Sequence, residues 1–228
     1  HNCLYEGVWK DNRRRWQERT KTWDVLHKYG HDYKIVFVGD AAMSPYEITH
    51  PGGSVEHMNE EAGATCISVL TETDFFLGSP SYIRLVKDAC SLPVLRKDFI
   101  VDDYQIFESK LIGSDCILLI AAILDIADLH RLYELATSLN LDVLVEVHNS
   151  KELDKALTLS PKMIGINNRN LSTFEVSLQV TIDLVSKIPS DVLLVTESGI
   201  KTRDHIERML SQGVYGFLIG EVLMTDAD

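Results

Sequence analysis

The sequence predicts an α/β protein in which eight strands close into a (β/α)8 TIM barrel. From Lys34 onward, short apolar runs alternate evenly with amphipathic helical patterns. The apolar runs are rich in Val, Ile and Leu without polar alternation, as in parallel strands covered on both faces. The length of 228 residues is enough for one such domain. A doubly wound open sheet is the alternative, but no reversal of the pattern is visible.

Eight strand-like runs follow one another along the chain. All are short, and turn residues or helical patterns bound them. They are Ile35–Val38, Cys66–Leu70, Pro93–Leu95, Cys116–Ile120, Val143–Val147, Met163–Ile166, Val192–Val195 and Tyr215–Ile219.

Helical patterns occupy the gaps between these runs. One helix ends before Pro189 and another, from Asp204 to Leu210, ends before Gly213. A third has apolar residues at helical spacing, with charged residues on its other side. Its apolar residues are Leu129, Leu132, Leu135, Ala136 and Leu139.

The two ends of the chain depart from the regular pattern. Residues Trp9 to Tyr29 are predicted to be helical, and Trp9, Trp16 and Trp23 recur every seven residues on one face. Few residues follow Glu221, so we expect the usual final barrel helix to be missing. The N-terminal helix is expected to replace it beside the first and eighth strands. Tryptophan surface left exposed there would favour an oligomer.

Composition narrows the class of protein. The net charge of −12 argues against nucleic acid as a partner. No apolar run approaches the ~20 residues of a membrane span, and no signal-peptide pattern opens the chain. Cys3, Cys66, Cys90 and Cys116 are far apart, which indicates reduced, buried thiols and a cytoplasmic location. No Cys/His spacing predicts a metal site.

Polar side chains stand at the carboxyl ends of the predicted strands, where a barrel forms its site. Lys97 has three open interpretations: a solvated residue, a phosphate clamp, or an acid tuned by burial. Glu146 and Glu197 adjoin apolar runs, so we expect each carboxylate to face a cation or a hydrogen-bond donor. With Asn167 and Arg169, these residues favour a functional site over an isolated salt bridge.

Small residues follow the last two strands. Ser198 and Gly199 come after the seventh, and Gly220 and Glu221 come after the eighth. Backbone N–H groups can approach an anion at such turns, and this is the recurrent phosphate position of barrels. The sequence therefore predicts a phosphate site there.

From about Thr65 to Asp226, the chain resembles the indole-3-glycerol phosphate synthases, barrel enzymes of tryptophan biosynthesis. The matching runs are long and occur in the family's order. They are Ser68 through Phe76, Leu92 to Ile100, Tyr104 to Ile106, Leu144 to His148, Gly165 to Leu171, Glu197 to Ile200 and Leu218 to Met224.

The resemblance implies a ring closure on a phosphorylated carboxyphenylamino-deoxyribulose with loss of CO2 and water, without metal or organic cofactor. Lys97 matches the general acid, and Glu146 matches the carboxylate of the later proton transfers. The remaining matches orient the substrate and the lysine (Asn167, Arg169, Glu197), contact the aromatic ring (Phe76, Phe99) or cradle the phosphate (Ser198, Gly199, Gly220, Glu221).

The end of strand one departs from the family's pattern, Glu-x-Lys-x-x-Ser-Pro-Ser. Aligning on Ser44-Pro45 puts Gly39 at the glutamate position and Ala41 at the lysine position. Asp40 is a carboxylate one residue out of register. Because both charged residues serve the family's site, we expect activity to be absent or very weak.

Residues 1 to about 63 instead resemble a bacterial von Willebrand factor A domain-type protein. The matching phrases are His1–Tyr5, Trp9–Arg15, Tyr33–Pro45 and Pro51–His57. The Asp-x-Ser-x-Ser metal motif is absent, so no metal is expected. We interpret the chain as one barrel domain, residues 1–228. In it, residues 1–64 supply the N-terminal helix, strand one and helix one, and residues 65–228 supply strands two to eight.

Three hypotheses for function stay open at this point. The chain is a fusion, natural or constructed, that retains weak synthase activity. Alternatively, it is a non-catalytic barrel that binds phosphate or sulfate, or a stable recombinant fold without function.

Overall fold

The chain folds into a closed barrel of eight parallel strands. The computed structural model describes residues 34–38, by their backbone, and residues 64–220. The strands are β1 (Lys34–Val38), β2 (Cys66–Leu70), β3 (Val94–Lys97), β4 (Cys116–Ile120), β5 (Asp142–Val147), β6 (Met163–Asn167), β7 (Leu193–Glu197) and β8 (Gly216–Ile219).

Strand β1 closes the barrel. Val36 pairs in parallel with Cys66 of β2 on one side and with Leu218 of β8 on the other. The predicted barrel is therefore confirmed, and the open doubly wound sheet is wrong.

Six helices cover the barrel in the stretch from residue 64 to residue 220, and each follows a strand. They are α1 (Ser81–Ala89), α2 (Asp103–Ile112), α3 (Ile126–Ser138), α4 (Ser150–Leu157), α5 (Gln179–Val185) and α6 (Arg203–Ser211). The predicted apolar stripe lies on α3, where Leu129, Leu132 and Ala136 are buried. None of the described helices is both long and apolar enough to span a lipid bilayer.

Strand residues alternate between the barrel interior and the surrounding helices, as the two-residue period of a strand requires. Ile117 and Leu119 of β4 pack outward in the larger core. The apolar residues that fill the interior are Leu95, Leu118, Ile120, Leu144, Val195 and Leu218. On β3 this alternation continues into the polar residues, so that Leu95 and Lys97 share a face and Arg96 takes the opposite one.

Several strands extend further than predicted. β3, β6 and β7 include Lys97, Asn167 and Glu197, whereas the sequence placed these residues beyond the strand ends. The hydrogen-bonded ladder continues through them, with Lys97 opposite Leu70 and Glu197 opposite Asn167. Their polar side chains therefore emerge from regular backbone and not from loops.

Three cysteines in the described residues carry free thiols. Cys66, Cys90 and Cys116 are partly buried, less than the full burial expected. Burial, with a smaller effect from Asp115, raises the pKa of Cys66 to about 12, so this thiol stays protonated and unreactive.

Several expectations concern residues outside the described ranges. These are the helix Trp9–Tyr29, the substituted positions Gly39 and Ala41, the neighbouring Asp40, and Glu221.

Candidate active site

A lysine and two buried carboxylates meet at the carboxyl end of the barrel. Lys97 Nζ lies 3.3 Å from Glu197 Oε2 and 3.4 Å from Glu146 Oε2. The carboxylate side chains are only 1 % and 2 % exposed, because β5 and β7 direct them into the barrel. The expectation that each buried carboxylate faces a cation is confirmed.

The three charges shift one another's protonation. Burial disfavours the ammonium of Lys97, but Glu197 and Glu146 outweigh that effect and raise its pKa. Burial also opposes ionisation of Glu146, yet Lys97 and His148 lower its pKa to about 2. Burial and the charge of Glu146 raise the pKa of Glu197 to about 8 against the pull of Lys97. The site thus holds a charged lysine, an ionised carboxylate and a second carboxyl group whose ionisation is disfavoured.

Gly165 makes room for Glu197. A Cβ atom at Gly165 would lie 2.0 Å from Glu197 Oε1 and 3.2 Å from Leu144 Cδ1. Oε1 is buried and has no hydrogen-bond partner among the described residues. The glycine therefore fixes where this carboxylate sits, a role that the sequence gave no means of recognising.

Asn167 lies next to Glu146 at the end of β6. Its side chain forms a hydrogen bond with Glu146 that contributes to the low pKa of that carboxylate. Its Oδ1 accepts a hydrogen bond of 3.0 Å from the backbone N–H of Arg169. Arg169 also forms an antiparallel bridge with Val176, and its predicted contact with substrate stays a prediction.

His148 is a site residue that the sequence reasoning missed. Its Nε2 lies 3.2 Å from Glu146 Oε1, and its Nδ1 lies 3.0 Å from Glu152 Oε2. The sequence held only a partial signal: His148 comes two residues after Glu146, a spacing that puts side chains on one face of extended backbone, and Glu152 is four residues further on. The matched run Leu144 to His148 contained both members of the inner contact.

A buried polar network lies behind Lys97, on the outer face of β3. The Arg96 guanidinium pairs with Asp98 at 2.9 Å and with Glu108 at 2.8 Å. Thr71 donates a 2.6 Å hydrogen bond to Asp98. This network joins β2, β3 and α2, and so fixes the strand that carries Lys97.

A second network lies behind Glu197. Asn168 Nδ2 donates to the backbone carbonyls of Glu197 at 2.9 Å and Ser198 at 3.1 Å. Its Oδ1 accepts from the hydroxyl of Thr181 on α5 at 2.9 Å. The amide therefore fixes the turn that follows β7.

The two aromatic residues predicted to contact a substrate ring lie together. Phe76 stacks on Phe99 with ring centroids 5.1 Å apart, and Phe75 approaches Phe99 edge-on at 6.1 Å. The loop bearing Phe75 and Phe76 is held by Glu72, whose carboxylate accepts their backbone N–H groups at 2.6 Å and 3.0 Å. Phe75 was not among the predicted residues.

The turn after β7 has an unusual backbone. Ser198 and Gly199 both adopt positive φ, 62° and 85°, a conformation that favours glycine. A Cβ at Gly199 would also lie 2.7 Å from Val176 Cγ1. Gly220 follows β8 directly, so both described parts of the predicted phosphate site lie at this end of the barrel.

Fold and geometry define a barrel protein of eight parallel strands with an acid–base cluster at the carboxyl ends of those strands. The comparison with known families adds the particular family. The model for Indole-3-glycerol phosphate synthase matches residues 51–228, and the chain belongs to that family.

Curated relatives agree with this assignment. The indole-3-glycerol phosphate synthase of Polaromonas naphthalenivorans (strain CJ2) is 56 % identical over 164 residues, covering 72 % of this chain and 62 % of the relative. The enzyme of the same name from Delftia acidovorans (strain DSM 14801 / SPH-1) is 53 % identical over 161 residues, covering 71 % and 60 %. The chain thus spans about six-tenths of the length of these relatives.

Solved structures support the fold alone. The N-acetylmannosamine-6-phosphate 2-epimerase from Clostridium perfringens aligns with a TM-score of 0.63 at 13 % identity, covering 83 % of this chain and 87 % of that one. A thiamine phosphate pyrophosphorylase from Pyrococcus furiosus aligns with a TM-score of 0.60 at 17 % identity, covering 85 % and 89 %.

The resemblance to a von Willebrand factor A domain finds no support in these comparisons. The family match begins at residue 51, ahead of the predicted join near residues 63–65. The origin of the segment before residue 51 stays a prediction.

Proposed function

We propose that this chain binds a phosphorylated carboxyphenylamino-deoxyribulose and closes its indole ring with loss of CO2 and water, at a rate far below that of a complete family member. The observation that carries the proposal is the position of Lys97 between Glu146 and Glu197 in a chain of this family. A cation beside two buried carboxylates can polarise a ketone and move protons without a metal or organic cofactor.

Lys97 acts first by its charge. Its raised pKa keeps the ammonium protonated, so it can donate a hydrogen bond to the ketone oxygen as the ring carbon attacks. An acid of such high pKa gives up its proton reluctantly. A nearby carboxyl group that can return a proton to the lysine is therefore useful, and the raised pKa of Glu197 suits it to that part.

Glu146 is suited to accept a proton. It stays ionised at neutral pH, and Lys97 and Asn167 orient it. In the proposed reaction loss of CO2 restores the aromatic ring, and Glu146 then removes a proton from the former methylene carbon beside the nitrogen while the hydroxyl group formed from the ketone leaves as water. Asn167 and Arg169 would orient the substrate and the lysine.

The proposed contacts with the aromatic ring and the phosphate of the substrate follow from the chemical character of the residues. The Phe76–Phe99 stack offers an apolar surface for the aromatic ring of the substrate. The turn Ser198-Gly199, with Gly220 and Glu221, would bind the phosphate through backbone N–H groups. The carbonyls of Glu197 and Ser198 are held by Asn168, which supports a rigid turn.

Weak activity is proposed because Gly39 and Ala41 replace the glutamate and lysine of the family's strand one. The direct test is to install both charges, Gly39→Glu with Ala41→Lys, and to follow turnover by indole fluorescence. We expect a gain of at least about 100-fold, the scale of a lost acid–base group. Ala42→Lys, one residue out of register, is the control and should give no gain.

Two results would contradict the proposal. Turnover of the unaltered chain equal to that of a complete family member would show that the strand-one charges are dispensable. Undiminished turnover after Lys97→Met in the restored variant would remove the role of Lys97.

A second candidate function is phosphate binding without catalysis, which the left-handed turn at Ser198 and Gly199 favours. Inorganic phosphate or sulfate should then raise the thermal midpoint as its concentration increases. Gly199→Ala should abolish that increase, because an alanine at this φ is strained. A midpoint that does not respond to phosphate would exclude this function.

Three broader expectations remain proposals. The segment before residue 51 is interpreted as part of a fusion that supplies β1. The Trp-rich arm is proposed to favour an oligomer, and the protein is expected in the cytoplasm, without nucleic-acid or membrane partners.

A further inference from the structure

The imidazole of His148 lies between two carboxylates. Its Nε2 is 3.2 Å from Glu146 Oε1, and its Nδ1 is 3.0 Å from Glu152 Oε2. Glu146 comes from β5, and Glu152 comes from the first turn of α4. An imidazole in this position is stabilised in its charged form by a negative charge on either side.

Glu146 consequently has a cationic partner for each of its oxygens. Oε2 faces Lys97, and Oε1 faces His148. The His148 Nε2 atom is buried and has no geometrically regular hydrogen bond among the described residues, so its 3.2 Å approach to Glu146 Oε1 is an ion-pair contact. A buried carboxylate between two cations stays ionised, and its orientation is fixed.

The outer carboxylate is itself fixed. The backbone N–H of His148 donates to Glu152 Oε2 at 2.8 Å, and the Asn149 side chain donates to Glu152 Oε1. Asn149 also caps α4 by accepting the backbone N–H of Glu152 at 3.1 Å. The start of the helix therefore determines where Glu152 lies, and Glu152 determines how the His148 ring is turned.

We propose that His148, oriented by Glu152, is a positioning residue that keeps Glu146 ionised and directed toward Lys97. The proposal rests on the proposed function, since Glu146 is the proton acceptor there. It assigns no substrate contact to His148.

The charge on the ring persists through neutral pH. Burial opposes it, but contacts with Glu146 and Glu152 raise the pKa of His148 to about 9. The charged groups that face the ring are Glu146 from β5 and Glu152 from α4, with Lys97 of β3 on the far side of Glu146. Without the imidazolium, Lys97 alone would balance Glu146 and Glu197, and the pKa of Glu146 would rise.

The first experiment follows the ring and the carboxyl group by NMR in the resting protein, and it needs no turnover. The His148 signal is assigned by its loss in His148→Asn. We expect its titration midpoint to lie roughly one to three pH units above the ordinary value and to fall in Glu152→Gln and in Glu146→Gln. The carboxyl carbon of Glu146 should titrate at higher pH in His148→Asn than in the unaltered chain.

The second experiment measures turnover against pH. His148→Asn should lower kcat roughly 10- to 100-fold with little change in KM, because an acid–base group is misplaced and no substrate contact is lost. The acid limb of the profile should move to higher pH. His148→Lys restores a cation and should recover part of the rate. His130→Asn is the matched control, since His130 is a half-buried histidine that contacts Thr158 on α4's C-terminal side and not the site.

The outcomes separate the inference from the proposed function. A His148 midpoint near its ordinary value, or one unaffected by both carboxylate changes, would overturn the inference. So would a Glu146 titration unchanged in His148→Asn. If the chain shows no turnover but its NMR titrations behave as expected, the catalytic function is refuted. The electrostatic coupling of His148 to Glu146 and Glu152 is then still established.

Discussion

Gly165→Ala should displace the carboxylate of Glu197 and so disable the site. The new Cβ would lie 2.0 Å from Glu197 Oε1, and real Cβ atoms essentially never lie closer than 3.0 Å to another heavy atom. The carboxylate must therefore retreat by at least about 1 Å. Its ion pair with Lys97, now 3.3 Å, would lengthen or break.

Two effects of different size follow from that displacement. A misplacement of about 1 Å in a catalytic arrangement costs roughly 100-fold in rate. Overpacking costs about 1–3 kcal/mol of stability, and the gain of about 0.5–1 kcal/mol from replacing glycine within a strand offsets part of it. We therefore expect a large loss of turnover with a loss of only about 1–2 kcal/mol in the free energy of unfolding.

The assay combines urea denaturation with turnover measured by indole fluorescence. Gly165→Ala with Glu197→Asp shortens the acid by one methylene group, so the double variant should be more stable than the sum of the single changes predicts. Gly216→Ala is the control. Its Cβ would lie 2.6 Å from the backbone oxygen of Leu194, at the start of β8 away from the site. That variant should lose stability but keep the turnover of its folded molecules.

Two results would show that a methyl group at Gly165 does not displace the Glu197 carboxylate. One is wild-type turnover per folded molecule in Gly165→Ala. The other is strict additivity with Glu197→Asp, which would mean that the added methyl group and the carboxylate do not meet. The stability measurement decides the second point even where turnover is very low.

Two further substitutions test the charges at and behind the site. Lys97→Met leaves Glu146 and Glu197 without their shared cation and should cost about 3–5 kcal/mol at neutral pH. Removing the cation raises the folded-state pKa of both carboxyl groups, so the loss should be small below about pH 2, where Glu146 is protonated in both chains, and should grow as pH rises toward the raised pKa values; urea denaturation giving equal losses at pH 3 and pH 8 would contradict this. Arg96→Met leaves Asp98 buried without its guanidinium and should cost a similar about 3–5 kcal/mol, measured in the same way, whereas a nearly unchanged stability would show that the network contributes little.

Much of the fold could be predicted because its signals are local. The runs at Cys66–Leu70 and Cys116–Ile120 match the observed strands residue for residue, since an uninterrupted apolar run between turn signals has few other interpretations. Strand ends were less predictable. Lys97 and Glu197 continue the hydrogen-bonded ladder, and a polar side chain gives no indication of whether its backbone is still paired.

The candidate site, too, was predictable from the sequence in part only. That Lys97, Glu146 and Glu197 share one end of the barrel follows from topology, because all parallel strands present their carboxyl ends together. The part played by Gly165 is invisible in sequence, since a missing side chain matters only when something occupies its space. His148 was overlooked because a histidine two residues past a buried glutamate has no defined partner until α4 brings Glu152 to its other side.

The amino-acid sequence determined the even alternation of strands and helices, and through it the barrel and the end at which its polar residues gather. Tertiary structure alone decided the protonation of the site. Whether Glu146 or Glu197 keeps its proton depends on distances of 3 to 4 Å to Lys97 and His148, and on burial that removes water. The two distances to Lys97 join residues about 50 to 100 positions apart in the chain, so only the closed ring of strands could set them.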